Sequence, residues 1–244
     1  MMIEVHRLIK RFGAKVVLRS LEFSVAQGEF VALLGPNGAG KTTFLRILAS
    51  LSRPTLGEVQ IAGYTLPHQA AAVRRKLGVV SHLPLLYGDL SADENLRFYG
   101  RMYGLDGLDG RIRKVLALVG LENRRRDLVR TFSRGMQQRL AIGRAILHDP
   151  SVLLLDEPHT GLDQDASEML DGVLREVAAQ GHTIVMTSHD LARAADLASR
   201  FDVLTRGSIQ ASVQSADLPR DGVLTFYRQT LEEAVRGNDR PVAG

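Results

Sequence analysis

The segment Gly35-Pro36-Asn37-Gly38-Ala39-Gly40-Lys41-Thr42 decides the fold class that we expect for this chain. It fits the pattern G-x-x-x-x-G-K-[ST], in which glycines let consecutive backbone N–H groups curl around a phosphate without clashes from Cβ atoms. An apolar run over residues 30–34 precedes it, and a helical pattern over about residues 41–51 follows. The N-terminus of that helix adds positive potential. The sequence therefore predicts a buried strand, a phosphate-binding loop and a helix in succession.

The side chains of this loop predict ATP and Mg²⁺ as cofactors. Lys41 supplies a positive charge for the β- and γ-phosphates, and the hydroxyl of Thr42 is a suitable ligand for Mg²⁺. We expect nucleotide contacts from the whole loop and from the residue after it, namely Gly35, Pro36, Asn37, Gly38, Ala39, Gly40, Lys41, Thr42 and Thr43.

Two acidic residues follow the strongly apolar run at residues 152–155. The carboxyl ends of parallel strands face the ligand crevice of an α/β protein. Asp156 is therefore placed to hold Mg²⁺, and Glu157 is placed to polarise the attacking water. His189 comes just after the next apolar run, where it can hydrogen-bond the γ-phosphate. We expect Glu157, His189 and Lys41 to be catalytic.

The remaining pattern indicates one α/β core with a helical insertion. Short alternating runs before residue 34 indicate antiparallel strands, and a helical pattern extends over about residues 91–147, beginning at the capping box Ser91-Ala92-Asp93-Glu94. Apolar runs at 152–155 and 183–186 flank a predicted helix at 166–179. Strand, helix and strand in this order imply parallel pairing with a right-handed crossover.

Near the C-terminus, a hairpin is predicted to turn at Arg206-Gly207, and an amphipathic helix is predicted from apolar residues at Leu224, Tyr227, Leu231 and Val235. The expected fold class is an α/β P-loop NTPase core with a mostly parallel sheet, an N-terminal antiparallel β subdomain and an inserted helical subdomain. We place the ATPase domain at residues 1–236, the helical subdomain at about residues 86–148 and a flexible tail at residues 237–244.

Composition and charge narrow the classes of function. The chain has 244 residues and no cysteine, which excludes disulfides and thiolate metal sites. Its apolar runs fall far short of the ~20 residues that a transmembrane helix needs, so we expect any membrane role to come through a partner. The net charge is +4, and its one tight cluster, Arg124-Arg125-Arg126, is typical of a solvated surface. We therefore expect no nucleic-acid partner.

With these features the chain resembles the ABC ATPase family over nearly its whole length. The segment Phe132-Ser133-Arg134-Gly135-Met136-Gln137-Gln138-Arg139 looks like that family's signature motif, and Thr160-Gly161-Leu162-Asp163 looks like its D-loop. The resemblance implies that Phe12 stacks on adenine and that His189 is the switch histidine. It also implies that each ATP lies between two chains, with four signature residues closing over the γ-phosphate of the other subunit: Ser133, Arg134, Gly135 and Met136.

Two departures from the family pattern affect the expected site. Arg134 and Met136 stand where the family more often has glycine and glutamine, and we expect the signature to keep its function because Arg134 adds positive charge near the phosphates. His82 stands where the family usually has the Q-loop glutamine. Neutral imidazole ligates metals whereas imidazolium does not, so His82 is a candidate Mg²⁺ ligand, and we expect it to contribute to the loss of ATPase activity in acid.

The resemblance implies transmembrane permease subunits as partners, together with a second copy of the chain or a paralogous ATPase subunit. It places the protein in the cytoplasm, peripheral on the inner face of the cell membrane. The apolar run at residues 83–87 is either core or the border of a groove that receives a short helix of the permease. The sequence pattern alone leaves both interpretations open.

Within the family, residues 81–90 and 94–99 look most like haem-exporter ATPases of cytochrome c biogenesis. Export of a lipid, a drug or a polysaccharide is an alternative, and a soluble ABC-type ATPase that acts on nucleic acid or ribosomes is another. The chain has one set of motifs, and no heptad pattern separates Lys41 from Asp156. These features favour an ATPase coupled to transport over the soluble types.

Overall fold

Two β-sheets carry the functional segments of the protein. The computed structural model describes residues 1–81, 83–219 and 222–236. Its strands are β1 (Ile3–Phe12), β2 (Lys15–Val25), β3 (Phe30–Leu34), β4 (Leu56–Ile61), β5 (Tyr64–Leu66), β6 (Leu77–Val80), β7 (Val152–Asp156), β8 (Thr183–Thr187), β9 (Arg200–Thr205) and β10 (Ser208–Gln214). Its α-helices are α1 (Lys41–Leu48), α2 (Ala70–Lys76), α3 (Ala92–Met102), α4 (Leu108–Leu118), α5 (Arg134–Ile146), α6 (Gln164–Ala179), α7 (Leu191–Leu197) and α8 (Gly222–Arg236).

The larger sheet has the strand order β10-β9-β3-β8-β7-β6. Its strands pair in parallel from β9 to β6, and β10 pairs antiparallel with β9. The smaller sheet, in the order β2-β1-β4-β5, is antiparallel. The expected fold class is therefore confirmed. The carboxyl ends of β3, β7 and β8 lie side by side at one edge, which is where parallel sheets form their ligand crevice.

Strand β3 is buried on both of its faces, which explains its unbroken apolar sequence. Because successive side chains on a strand point to opposite faces, Val31 and Leu33 join the core shared with the small sheet and α1, whereas Phe30, Ala32 and Leu34 join the core under the other helices. Strand β7 divides its residues between the two cores in the same way. The chemical groups at the ends of these strands therefore stand on a rigid base.

Helices α3, α4 and α5 are inserted between the parallel strands β6 and β7. The predicted capping box at the start of α3 is confirmed, because the Ser91 hydroxyl accepts from the backbone N–H of Glu94 at 3.2 Å and the Glu94 carboxylate accepts from the backbone N–H of Ser91 at 2.7 Å. Helix α5 packs on β6 and also contacts α6. The inserted helices are thus joined to the larger sheet through α5.

Several elements differ from the sequence prediction. Helix α1 ends at Leu48 rather than near residue 51, because Ser50 takes a φ of 58°, outside the helical region. The prediction did not include strands β4, β5 and β6. In α8, Leu224 and Val235 are exposed instead of forming part of the packed face. The predicted tail at 237–244 lies outside the described residues.

The predicted C-terminal hairpin is confirmed. Strands β9 and β10 pair around a turn at Arg206 and Gly207, which both have positive φ angles, of 52° and 84°. Across residues 1–81, 83–219 and 222–236, no helix combines the length and the apolar character needed to cross a membrane.

Candidate functional site

The phosphate loop joins β3 to α1, as the sequence predicts. Gly40 is the residue that precedes the helix, and its φ of 112° lies in a region that L side chains rarely adopt. A Cβ on Gly35 would also overlap the carbonyl oxygen of Leu204 in β9. These two glycines therefore allow the loop to curl tightly against the core, and backbone N–H groups are left to face a phosphate.

Lys41 is buried within the loop that precedes it. Its ammonium donates to the carbonyl oxygens of Gly35 at 2.6 Å and Pro36 at 3.3 Å. Burial lowers the pKa of Lys41, and the nearby charges of Glu157 and Asp156 offset part of this effect. The ammonium is thus held at the centre of the loop, facing the acid pair, which is the position required to bind phosphate oxygens.

Thr42 and Asp156 bring two oxygen ligands together beside the loop. The Thr42 hydroxyl lies 3.3 Å from Oδ1 of Asp156, and the same carboxylate oxygen accepts from the Thr187 hydroxyl at 2.7 Å. Hydroxyl and carboxylate oxygens suit Mg²⁺, which in nucleotide sites is bound by one or two protein ligands, substrate phosphates and water. In the described part of the chain there is no cluster of three or more His, Cys, Asp and Glu side chains that would hold a metal by itself. The residues present fit Mg²⁺ that is carried in with a nucleotide.

Glu157 and His189 are brought into contact at the ends of the neighbouring strands β7 and β8. Nδ1 of His189 lies 3.1 Å from Oε2 of Glu157, and the Thr160 hydroxyl donates to the same oxygen at 3.2 Å. Glu157 has a φ of 48°, an uncommon conformation for a non-glycine residue. The Thr187 hydroxyl accepts from its backbone N–H at 2.9 Å and so stabilises this turn.

Phe12 and the phosphate loop border one open cavity of about 540 Å³. The Phe12 side chain is 55% exposed at its mouth, and the ammonium of Lys10 lies 4.7 Å from the ring centroid. Glu157 and Arg206 also line this cavity. A cavity bordered by both an aromatic ring and a glycine-rich loop offers contacts for the base and for the phosphates of a nucleotide. All of the predicted loop residues that follow Gly35 line it: Pro36, Asn37, Gly38, Ala39, Gly40, Lys41, Thr42 and Thr43.

The signature residues stand at the start of α5, away from this cavity. Ser133 is the N-cap of the helix, and its hydroxyl accepts from the backbone N–H of Met136 at 3.2 Å. Ser133 and Arg134 are exposed, whereas Gly135 is buried against Ala166 of α6. None of Ser133, Arg134, Gly135 and Met136 lines the cavity of its own chain.

The segment after β6 has its apolar side chains on the surface. Leu83, Leu85 and Tyr87 are 57%, 58% and 49% exposed, and Leu86 packs against the core. Leu85 also borders an apolar groove of about 250 Å³, lined by Leu51, Leu77, Val79, Tyr99 and Tyr103 among others. The structure thus favours the groove interpretation of this run over the core interpretation. His82 lies outside the described residues.

Thr187 is a site residue that the sequence did not indicate. Its hydroxyl donates to Asp156 and accepts from the backbone N–H of Glu157, so it joins both members of the acid pair. Nothing in the local sequence marks this threonine, and its role depends on the parallel register that sets it opposite Asp156. Only the strand order could have identified it.

Residues 18–160 match the family model described as ABC transporter. The chain belongs to this family. It is 38% identical to the Nod factor export ATP-binding protein I of Cupriavidus pinatubonensis, over 99% of this chain and 76% of that protein. It is 34% identical to the linearmycin resistance ATP-binding protein of Bacillus subtilis, over 89% of this chain and 70% of that protein.

Two solved structures resemble the fold of this ABC ATPase. One is described as the ATP binding subunit of an ABC transporter; it is 32% identical, has a TM-score of 0.85, and the match covers 95% of this chain and 100% of the other. The second is a dimeric ATP-binding cassette in a post-hydrolysis state with ADP and Pi; it is 28% identical, has a TM-score of 0.78, and the match covers 88% and 99%. The chain is therefore an ATP-binding subunit of the ABC transporter type, and its enzymatic activity is ATP hydrolysis.

Proposed function

We propose that this ATPase works as a dimer that drives export through separate membrane-spanning subunits. The observation that carries the proposal is the link between the acid pair and the exposed apolar groove. Strand β6 precedes the apolar segment at residues 83–87, which we call the groove segment. It also pairs with β7, where Val80 lies opposite Leu155, one residue before Asp156. A change at the nucleotide is therefore only a few residues away from a surface on which a partner can dock.

In the proposed reaction the protein positions ATP and neutralises its charge, which is most of what phosphoryl transfer requires. Phe12 stacks on adenine, the phosphate loop from Gly35 to Thr43 holds the phosphates, and Lys41 contacts the β- and γ-phosphate oxygens. Thr42 and Asp156 would hold Mg²⁺, which would supply electrostatic stabilisation of the phosphates. We retain His82 as a further proposed Mg²⁺ ligand.

Glu157 and His189 act on the attacking water and the γ-phosphate. The Glu157 carboxylate orients the water and accepts its proton, and such a positioned base contributes roughly 10²–10⁴-fold to the rate. His189 lies at hydrogen-bond distance from that carboxylate. Its imidazole therefore connects the proposed base with the region that the γ-phosphate would occupy. This arrangement lets the loop that carries His189 distinguish ATP from ADP.

The dimer is proposed because the signature surface is exposed and stands away from the cavity of its own chain. Ser133 and Arg134 present the N-terminus of α5, whose partial positive charge attracts phosphate. In a dimer, these residues, with Gly135 and Met136, would close over the γ-phosphate bound to the other subunit. The dimeric cassette that bears ADP and Pi supports this arrangement for the fold.

The proposed docking site for the permease is the apolar groove beside Leu85. Arg144 holds the backbone on both sides of the start of the groove segment. Its guanidinium donates to the carbonyl oxygens of Val79 at 2.7 Å and Pro84 at 3.0 Å. The same guanidinium lies 5.3 Å from the centroid of the Tyr99 ring. A buried arginine that fixes several carbonyl groups gives the exposed leucine and tyrosine side chains a fixed frame. An amphipathic helix is the partner that such a groove fits.

For the transported substrate we propose only a broad chemical class. Two relatives bear names that refer to Nod factor export and to linearmycin resistance, which favours an exporter of a small molecule. Haem export, proposed from the resemblance of residues 81–90 and 94–99, is the alternative. In either case the chain would lie on the inner face of the cell membrane, held there by its permease.

Purification from native membranes in mild detergent, followed by mass spectrometry, tests this function. We expect polytopic membrane proteins to co-purify with the chain, and their identity distinguishes haem export from export of another small molecule. Recovery of the chain with ribosomes or nucleic acid, and without membrane proteins, would refute the transport function. That result would leave the assignment of ATP hydrolysis to this chain in place.

A further inference from the structure

A nearly buried polar network lies directly behind the proposed catalytic pair. It joins the loop after Glu157, the first turns of α6 and the start of α7, and it borders a cavity of about 290 Å³ that also contacts Glu157 and His189. The side chains of Arg193, Asp171 and His159 are only 15%, 7% and 8% exposed.

Arg193 is the centre of this network because it contacts three acceptors on two helices. Its Nη1 donates to Oδ2 of Asp171 at 2.7 Å, and its Nη2 donates to the amide oxygen of Gln164 at 2.7 Å. Its Nε lies 3.3 Å from Oδ2 of Asp190, the N-cap residue of its own helix. One rigid guanidinium therefore fixes the start of α7 against the start of α6.

The starts of α6 and α7 lie next in sequence to the loops that carry or contact the proposed catalytic residues. Asp190 directly follows His189, and Gln164 directly follows the loop of residues 160–163. The second oxygen of Asp171 accepts from Nε2 of His159, two residues beyond Glu157, at 2.7 Å. The pair of Asp171 and Arg193 thus links the loop after Glu157, through His159, to the residue after His189, Asp190.

The protonation of the network follows from its geometry. A carboxylate only accepts hydrogen bonds, so Nε2 of His159 carries the proton. Nδ1 of His159 is buried and has no hydrogen-bond partner among the described residues. Burial raises the pKa of Asp171, but the hydrogen bonds and charges of His159 and Arg193 outweigh it and hold that pKa below its usual value. Asp171 is therefore an anion that is paired with Arg193.

We propose that Arg193 is a positioning residue for ATP hydrolysis, which holds the His189 loop at the correct distance from Glu157 by bridging α7 to Asp171 and Gln164. The inference rests on the proposed roles of Glu157 and His189. Arg193 is outside the set of residues that border the nucleotide cavity, so its loss acts on the geometry of hydrolysis and leaves nucleotide binding in place. Small misplacements of reacting groups lower rates by roughly 10²-fold.

The full-length chain with Arg193→Met tests this role through kcat and KM for ATP. We expect kcat to fall roughly 10–100-fold, while KM and the Kd of a fluorescent ATP analogue change less than about twofold. Arg193→Lys keeps the charge but cannot reach three acceptors together, and we expect it to restore only part of kcat. A variant with wild-type kcat, or with a loss confined to KM, would overturn the proposal.

A double variant separates positioning from simple stability. Arg193→Met alone leaves Asp171 as an unpaired buried anion, which destabilises the fold. Asp171→Asn combined with Arg193→Met removes both charges and keeps an acceptor for His159, so we expect thermal stability close to the wild type with kcat still low. Recovery of kcat together with stability would show that Arg193 is merely structural.

A cycle with His189→Ala identifies the group through which Arg193 acts. If Arg193 positions the His189 loop, Arg193→Met in the His189→Ala background should lower single-turnover hydrolysis by less than about twofold, because coupled residues are not additive. Fully additive losses would contradict the inference. Glu157→Gln, measured in parallel, distinguishes failure of the proposed function from failure of this inference. If Glu157→Gln keeps its turnover, the proposed base role is refuted. If Glu157→Gln loses turnover while the Arg193 variants keep the wild-type kcat, only the positioning role of Arg193 is refuted.

Discussion

Nδ1 of His189 lies 3.1 Å from Oε2 of Glu157, across the ends of two parallel strands that are adjacent in the sheet. The contact depends on the left-handed backbone at Glu157, which has a φ of 48°. Thr187 accepts from the backbone N–H of Glu157 and so supports that conformation. The proposed base and the proposed γ-phosphate sensor therefore form one unit whose geometry the sheet determines.

Glu157→Gln should stop hydrolysis and preserve ATP binding. The amide has almost the same shape but does not accept a proton, so we expect turnover to fall at least about 100-fold, within the range of a lost general base. Phosphate release measures turnover, and a fluorescent ATP analogue measures binding. Glu233→Gln, an exposed residue of α8, is the matched control. Turnover near the wild-type value in Glu157→Gln would rule out the base role.

Thr187→Val should weaken the use of Mg²⁺ without changing the shape of the side chain. The variant removes the hydroxyl that donates to Asp156 at 2.7 Å and accepts from Glu157 N–H at 2.9 Å. We expect kcat to fall, the Mg²⁺ concentration for half-maximal activity to rise, and stability to decrease by about 1–3 kcal/mol because a buried donor loses its partner. Thr187→Ser keeps the hydroxyl and should remain close to the wild type. Equal behaviour of the two variants would contradict this role.

The positions of the glycine-rich loop and the acid pair in the fold could be predicted from sequence because each depends on a short continuous segment. The apolar runs of β3 and β7 identify buried strands, since both of their faces are covered. Chemical groups that follow such strands must lie at one edge of a parallel sheet. Local pattern and general topology were sufficient for these residues.

The network around Arg193 could not be predicted, because its contacts join residues 22 and 29 positions apart on different helices. Which turns of α6 and α7 face each other depends on tertiary packing, which no local period encodes. Strand β4 escaped prediction for a related reason: Leu56 is exposed and only Val59 and Ile61 are buried, so its apolar alternation is short. The end of α1 depends on the positive φ of Ser50, and serine carries no strong signal for that conformation.

Leu85→Asp should uncouple transport from ATP hydrolysis. The side chain is 58% exposed at the edge of the apolar groove, so a carboxylate there costs little folding stability but disfavours an apolar partner helix. We expect basal ATPase of the isolated chain within about twofold of the wild type, and loss of co-purified membrane subunits. Leu224→Asp, at an exposed apolar position on α8, is the control. Equal loss of basal turnover in Leu85→Asp would instead indicate damage to the fold.

His148 should make the protein less stable as the pH falls from about 6.5 to about 4. Burial lowers its pKa from 6.5 to about 4, and its ring stacks on Tyr103 at 3.9 Å with Nδ1 buried and unpartnered among the described residues. The unfolded chain binds the proton first, so the stabilisation is complete above pH 6.5 and is lost towards pH 4. Between pH 7 and 5 we expect stability to fall by about 1–2 kcal/mol through this group.

Urea unfolding at pH 7 and pH 5 measures this contribution as the difference between the wild type and His148→Phe. Phenylalanine retains a ring against Tyr103 but does not titrate, so its stability should depend less steeply on pH. The surface variant His68→Phe serves as control. An unchanged pH dependence in His148→Phe would assign the acid sensitivity to other groups.

Gly135→Ala should reduce both stability and ATPase activity, and Ala166→Gly should restore both. A Cβ on Gly135 would lie 2.6 Å from Cβ of Ala166, so alanine forces α5 and α6 apart, at a cost of about 1–3 kcal/mol. The second change removes the clash, and the helix propensities gained and lost nearly cancel. Thermal melting and phosphate release measure the two effects. If stability returns in the double variant while ATPase activity stays low, the glycine is required for close approach to a phosphate, and the packing of α5 on α6 is not the reason.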